Sequence, residues 1–266
     1  MAGFASARDL LRPLYLFCIF FVAACSPGNA PSGDAGAPKI SADQFEKATA
    51  PASQGDSEMP ATVNATLNDK GEVRASISGI NVSIKAQGCT EDGSGIMLCS
   101  RSPVVEVTFP GGKPIAVEPE SLYIDSNSTL YHGPLNDMYK KNRHSIILAD
   151  VDGDGHEDLV IWSGKEGNYG GPSYSVYLFD AAQQLLVFNQ SLSDITVMAN
   201  GLFSVKGNLL TSTSGDGCCI HVFDTYELKN NKAVLIERVT EDTNNPAKPK
   251  KTIERLQNGE LRGVDN

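Results

Sequence analysis

Beyond residue 60 the chain alternates apolar and polar residues. Val73/Ala75/Ile77, Val82/Ile84/Ala86, Val105/Val107/Phe109 and Ile220/Val222 place apolar side chains two positions apart, the period of a strand with one buried face. Uninterrupted apolar runs occur at Ile146–Ala149, Leu159–Trp162 and Val176–Phe179. Residues with turn chemistry separate these segments, often about every 8–12 positions: Asn68-Asp-Lys-Gly71, Pro110-Gly-Gly112, Asn200-Gly201, Lys206-Gly-Asn208 and Lys229-Asn-Asn231. A 3.6-residue period is sustained nowhere, with at most a single turn over Leu135–Lys141. The pattern predicts an all-β, antiparallel, sandwich-like domain over residues 61–266, large enough for one substantial core. The last fifteen residues are expected to fray.

The first sixty residues differ in kind. Arg8 and Arg12 precede an apolar stretch, Leu14–Ala24, too short to span a bilayer, which needs about 20 residues. Residues 1–24 therefore read as an export signal. It ends Val22-Ala23-Ala24-Cys25, matching the bacterial lipobox, in which the cysteine is lipidated and becomes the new N-terminus. Residue 26 is Ser rather than Asp, which by the usual sorting pattern places a periplasmic protein on the outer membrane, anchored by its lipid at Cys25. Residues 25–60 are rich in Ala, Pro, Ser and Gly, with Phe45 as a lone aromatic. Such a segment buries too little apolar surface to offset its ordering entropy and is expected to be a disordered tether, apart from a brief helix around Ser41–Thr49.

Candidate chemistry concentrates between residues 145 and 177. Asp150, Asp152, Asp154, His156 and Asp158 occupy loop positions 1, 3, 5, 7 and 9, with Gly155 at position 6. Alternate positions of a tight loop point inward, and Ca²⁺ takes six to eight oxygens at about 2.3–2.6 Å. Four carboxylates and the carbonyl of His156 supply that kind of shell. A helical calcium sensor would carry a bidentate Glu at position 12; Ile161 stands there, inside an apolar run. The loop therefore joins two strands, as in integrin-type repeats. A solvated acidic turn is the alternative. With one such motif, a propeller carrying one per blade is not expected.

Eleven residues, Ser163–Ser173, then precede the strand Tyr174–Asp180. Hairpin loops usually take about 2–5 residues, and longer ones are disproportionately functional. Gly164, Gly167, Gly170 and Gly171 free the backbone around Asn168 and Tyr169. The tyrosine loop and the acidic loop are expected at opposite ends of one strand, so the ion braces the hairpin.

The formal charge is −10, one unit more negative once the signal's Arg8, Asp9 and Arg12 are gone. Without a basic stripe, nucleic acid is not an expected partner. Of six cysteines, Cys18 leaves with the signal and Cys25 is lipidated. Cys89, Cys99, Cys218 and Cys219 would be oxidised in a periplasm and allow three pairings. Cys89 and Cys99 flank the polar stretch Thr90–Gly95, which favours a hairpin staple and leaves Cys218–Cys219 as a vicinal bridge; pairing each of the latter with one of the former stays open. A search for enzymes finds no G-x-S-x-G, and His156-Glu157 lacks a second zinc-binding histidine, Val standing at 160. His132, His144 and His221 are isolated, so a binding protein rather than an enzyme is expected.

The lipobox, the Ala/Pro/Ser-rich tether, the stretch Ile147–Trp162 and the loop Gly167-Asn-Tyr-Gly-Gly171 together resemble the periplasmic immunity lipoproteins of bacteria-killing type IV secretion systems. The domain of those proteins is similar to that of I-type lysozyme inhibitors. The resemblance implies a lysozyme-inhibitor-type β-domain whose partner is a lysozyme-like peptidoglycan hydrolase. Such inhibitors insert a Ser-Gly-x-x-Tyr loop into the enzyme's cleft. This chain has Ser163-Gly164, but Tyr169 comes two residues later than that spacing requires. The implied partner-binding group is therefore Asn168, Tyr169, Gly170 and Gly171. A calcium-dependent envelope adhesion or assembly lipoprotein related to integrin-type repeats is the alternative, and a calcium-bearing hydrolase a third.

Overall fold

The structure is a computed structural model and describes residues 60–136 and 143–264. The export signal, Cys25, all of the tether but Pro60, and most of the Leu135–Lys141 turn lie outside the described residues.

The strands in chain order are β1 (Ala61–Val63), β2 (Glu72–Ile77), β3 (Ile80–Glu91), β4 (Ile96–Thr108), β5 (Ile115–Val117) and β6 (Leu122–Asp125). There follow β7 (Leu130–His132), β8 (Ile146–Ala149), β9 (Asp158–Gly164), β10 (Ser173–Asp180) and β11 (Leu185–Phe188). After helix α1 (Gln190–Thr196) come β12 (Ser204–Lys206), β13 (Leu209–Asp216), β14 (Ile220–Lys229), β15 (Lys232–Asp242), β16 (Lys250–Gln257) and β17 (Glu260–Gly263). A central sheet runs β1-β7-β8-β9-β10-β11. Strands β2 to β5 form a second sheet, with β6 also on β4, and β12 to β17 form an antiparallel meander.

Burial explains why the chain mixes alternating and continuous apolar segments. Ile146, Leu148, Leu159, Ile161 and Tyr177 on one face of the central sheet pack with Val82, Ile84, Val105, Val107, Leu122 and Ile124 of the second sheet. The opposite face, with Ile147, Val160, Trp162, Val176 and Leu178, packs on Leu192 and Ile195 of α1 and on Leu210 and Tyr226 of the meander. Strands covered on both faces read as unbroken apolar runs, whereas those covered on one face alternate. Strand β9 is the middle of this three-layer arrangement. Trp162 is fully buried in it, and its indole N–H donates to the carbonyl of Gly164 at 2.7 Å; truncating a buried Trp costs about 3–5 kcal/mol.

The expected all-β, sandwich-like fold is present, with three corrections. The pair β7–β8 is parallel, its two strands being separated by far more residues than the tight turn that joins an antiparallel pair. The C-terminal segment is paired as far as Gly263 rather than frayed: β16 pairs with β15 and β17 with β16. Helix α1 was absent from the apolar pattern because only Leu192 and Ile195 mark its inner face, over seven residues. Asn189 starts it, its side chain accepting from the N–H of Leu192 at 3.0 Å.

Candidate functional site: the two ends of β9

The turn between β8 and β9 is built by its own aspartates. Asp150 accepts from the N–H of Gly153 at 2.7 Å and of Gly155 at 3.1 Å, and Asp152 from that of Asp154 at 3.1 Å. Gly153 and Gly155 have φ of 80° and 86°, a region that glycine enters without a Cβ clash. Asp158, 1 % exposed, closes the loop: it accepts from Val151 N–H and, across the sheet, from Phe179 N–H, each at 2.8 Å.

Asp150, Asp152 and Asp158 bring one carboxylate oxygen each to within 4.8 Å of one another. Opposite ligands of a Ca²⁺ ion stand about 4.6–5.2 Å apart, so these oxygens fit the shell of a single ion. Asp154 is not gathered with them. It accepts from the N–H of His156 at 2.8 Å and lies 3.2 Å from that residue's Nδ1.

Electrostatics agrees with the fit. Burial pushes the Asp158 carboxyl up to about 8, against the lowering effect of its two backbone donors, with Asp152 and Asp154 adding repulsion. Burial, then the neighbouring Asp154 and Asp150, raises Asp152 as well. Crowded carboxylates that resist ionisation are what a divalent cation stabilises in charged form.

At the far end of β9, about 20 Å away along a seven-residue strand, the connection to β10 is shorter than the sequence suggests. Ser163 and Gly164 belong to β9 and Ser173 to β10. Ser163 does not sit in the loop: its Oγ accepts from Ser175 Oγ at 2.8 Å, within the β9–β10 pair. Asn168–Gly170 form one 3₁₀ turn in which Tyr169 has φ 55° and ψ 32°, a left-handed conformation unusual for a residue with a Cβ. Gly170, at φ 71°, follows it.

The loop is pinned along the part of β13 that β12 leaves uncovered and along the turn after it. The carbonyls of Thr213, Gly215 and Gly217 face outward on alternate residues. They accept from Asn200 N–H at 2.7 Å, Asn168 Nδ2 at 2.8 Å and Tyr169 Oη at 2.6 Å respectively. Ala199 accepts from Asn168 N–H at 2.7 Å, and Met198 N–H donates to Glu166 at 2.8 Å. Tyr169 nonetheless remains 74 % exposed, a ring displayed on the surface with its hydroxyl tied down.

Two disulfides are present, Cys89–Cys99 across the β3–β4 pair and the vicinal Cys218–Cys219 in the β13–β14 turn. The partnership of Asn168 and Tyr169 with β13, some 48 residues on, had no sequence signal. His144 is buried, with Ser128 Oγ 2.6 Å from its Nδ1, and His132 is buried 3.2 Å from Glu157.

No protein-family profile matches the chain, and no curated protein matches it. Among solved structures, the chain is similar to a Xanthomonas type IV secretion system related protein: 80 % identity, TM-score 0.77, covering 79 % of this chain and 100 % of that one. The chain therefore belongs to the same family as that Xanthomonas type IV secretion system related protein.

Proposed function

We propose that the protein is a periplasmic immunity lipoprotein, anchored to the outer membrane through Cys25, that inhibits a lysozyme-like peptidoglycan hydrolase delivered by a type IV secretion system. The observation that carries this reading is Tyr169, an aromatic residue 74 % exposed yet held in one pose by a glycine-flanked loop. A pre-ordered ring loses little entropy on docking, and a tyrosine suits a cleft that is apolar on its walls and polar at its base. The relation of the family to type IV secretion supports a partner delivered by that route.

Asp150, Asp152 and Asp158 would hold Ca²⁺, with Asp154 and the carbonyl of His156 as further candidate ligands. When bound, the ion supplies charge neutralisation alone. The chain's own residues do the rest: Asp158 locks the turn to β10, β9 carries the loop, and Asn168, Gly170 and Gly171 set Tyr169 facing outward.

The test mixes the purified protein with lysozyme-like hydrolases and follows lysis of cell-wall preparations. Truncating a central aromatic anchor costs about 2–4 kcal/mol, a factor of about 30 to 1,000 in affinity. Tyr169→Ala should weaken inhibition by that factor and lower the melting temperature by only the few degrees that one hydrogen bond is worth. Full inhibition by Tyr169→Ala removes the loop from the mechanism. Chelator-sensitive adhesion without any effect on hydrolases favours the envelope-adhesion reading instead, and turnover of muramyl substrates an enzymatic one.

A further inference from the structure

The vicinal disulfide lies outside everything assigned so far, yet it adjoins the exposed tyrosine. Gly217, Cys218 and Cys219 connect β13 to β14 after the last paired residues, Asp216 and Ile220. Gly217 has φ 64°, and its carbonyl is the acceptor of the Tyr169 hydroxyl at 2.6 Å. The bridge between neighbouring cysteines closes a small ring that includes the peptide linking them, so this turn has far fewer conformations than an open one. The carbonyl of Cys219 accepts from Thr243 N–H at 2.8 Å and from Thr243 Oγ1 at 3.1 Å, which ties the turn to the end of β15 as well.

We infer that the Gly217–Cys219 turn is the positioning element for Tyr169, and that the sulfur of Cys218 belongs to the same contact surface as the ring. The inference rests on the inhibitory reading for its partner, the sugar-binding cleft of a hydrolase, but not for its geometry. Three features carry it. The left-handed backbone of Tyr169 is costly for a residue with a Cβ and persists because its surroundings over-determine it. Backbone contacts at Ala199 and Glu166 hold the base of the loop, whereas the Tyr169–Gly217 bond holds its tip. Finally, Cys218, Met198 and Tyr169 are all exposed, so ring, thioether and disulfide offer polarizable, weakly hydrated surface suited to the apolar faces of sugar rings.

Two variants approach the same link from opposite sides. Tyr169→Phe removes the hydroxyl and keeps the ring; Cys218→Ser with Cys219→Ser opens the turn and keeps the tyrosine. In the isolated protein, either variant should speed amide hydrogen exchange at Gly170 and Gly171 about fivefold, the worth of one net hydrogen bond. Combining them should add nothing, because both cut one interaction. Wild-type exchange in either variant overturns the inference; if the serine pair lowers global stability, Tyr169→Phe alone decides. No hydrolase enters this measurement, so it stands or falls separately from the inhibitory reading. With a lysozyme-like hydrolase present, both variants should weaken inhibition non-additively. A loss confined to Tyr169→Phe means that the Gly217–Cys219 turn does not set the ring's pose, which overturns the positioning role.

Discussion

The two roles proposed for Asp158 can be pulled apart. Its carboxylate is 1 % exposed and accepts from Val151 N–H and Phe179 N–H, both at 2.8 Å. Asp158→Ala orphans these two donors at about 1–3 kcal/mol each; in chelator below about pH 4, where the carboxyl is protonated in the folded chain and largely so in the unfolded one, it should lower stability by about 2–6 kcal/mol. Asp152 differs. Its carboxylate accepts from the N–H of Asp154 at 3.1 Å, which an amide oxygen can equally do, and its charge is disfavoured by burial and by Asp154 and Asp150. Asp152→Asn should therefore match or exceed wild type in chelator. Calcium should reverse the order. At about one hundred times its dissociation constant a ligand adds about 2.7 kcal/mol, which for a domain of this size raises the melting temperature by about 5–11 °C. Wild type should show that gain, and both variants should lose most of it. Urea and thermal unfolding of the three proteins, in calcium and in chelator, provide the readout. If Asp152→Asn gains as much from calcium as wild type does, or Asp158→Ala is as stable as wild type in chelator below about pH 4, the two-role account is wrong.

Other expectations follow from single contacts. A Cβ on Gly167 would lie 2.7 Å from the Pro172 carbonyl oxygen and 2.8 Å from that of Gly171, closer than atoms pack. Gly167→Ala should thus distort the loop, cost about 1–3 kcal/mol and reduce inhibition at least tenfold with Tyr169 intact, as read by titration against the hydrolase. Arg238 donates through Nε and an NH₂ group to the two carboxylate oxygens of Asp224, each at 2.7 Å. Because Asp224 is buried while the guanidinium is partly exposed, Arg238→Met should cost about 1–3 kcal/mol in urea unfolding. Adding Asp224→Asn should recover part of that loss.

Much of the fold could be read from local pattern, because most strand pairs are neighbours in sequence. The acidic turn was legible for the same reason: all its carboxylates lie within nine residues and are set by turn chemistry. What the pattern missed is non-local or atypical. The parallel β7–β8 pair depends on a crossover that alternation does not encode. Strands β16 and β17 carry few apolar residues, yet a signal was there: Asn258-Gly259, with φ of 53° and 87°, is the dipeptide of a tight hairpin turn. The tyrosine could be singled out by its glycines, but its tie to Gly217 joins loops from two sheets, and no spacing rule reaches that far.

The bond from Tyr169 to Gly217 also sets the polarity of what the ring offers outward. A phenol has a single hydrogen to give, and here it is given internally. Toward a visiting protein the oxygen presents lone pairs only. It welcomes an un-ionised carboxylic acid or a sugar hydroxyl and repels a carboxylate. The general acid of a glycosidase is the carboxyl kept protonated before the reaction, so the grip on such an enzyme should fade as rising pH strips that proton away.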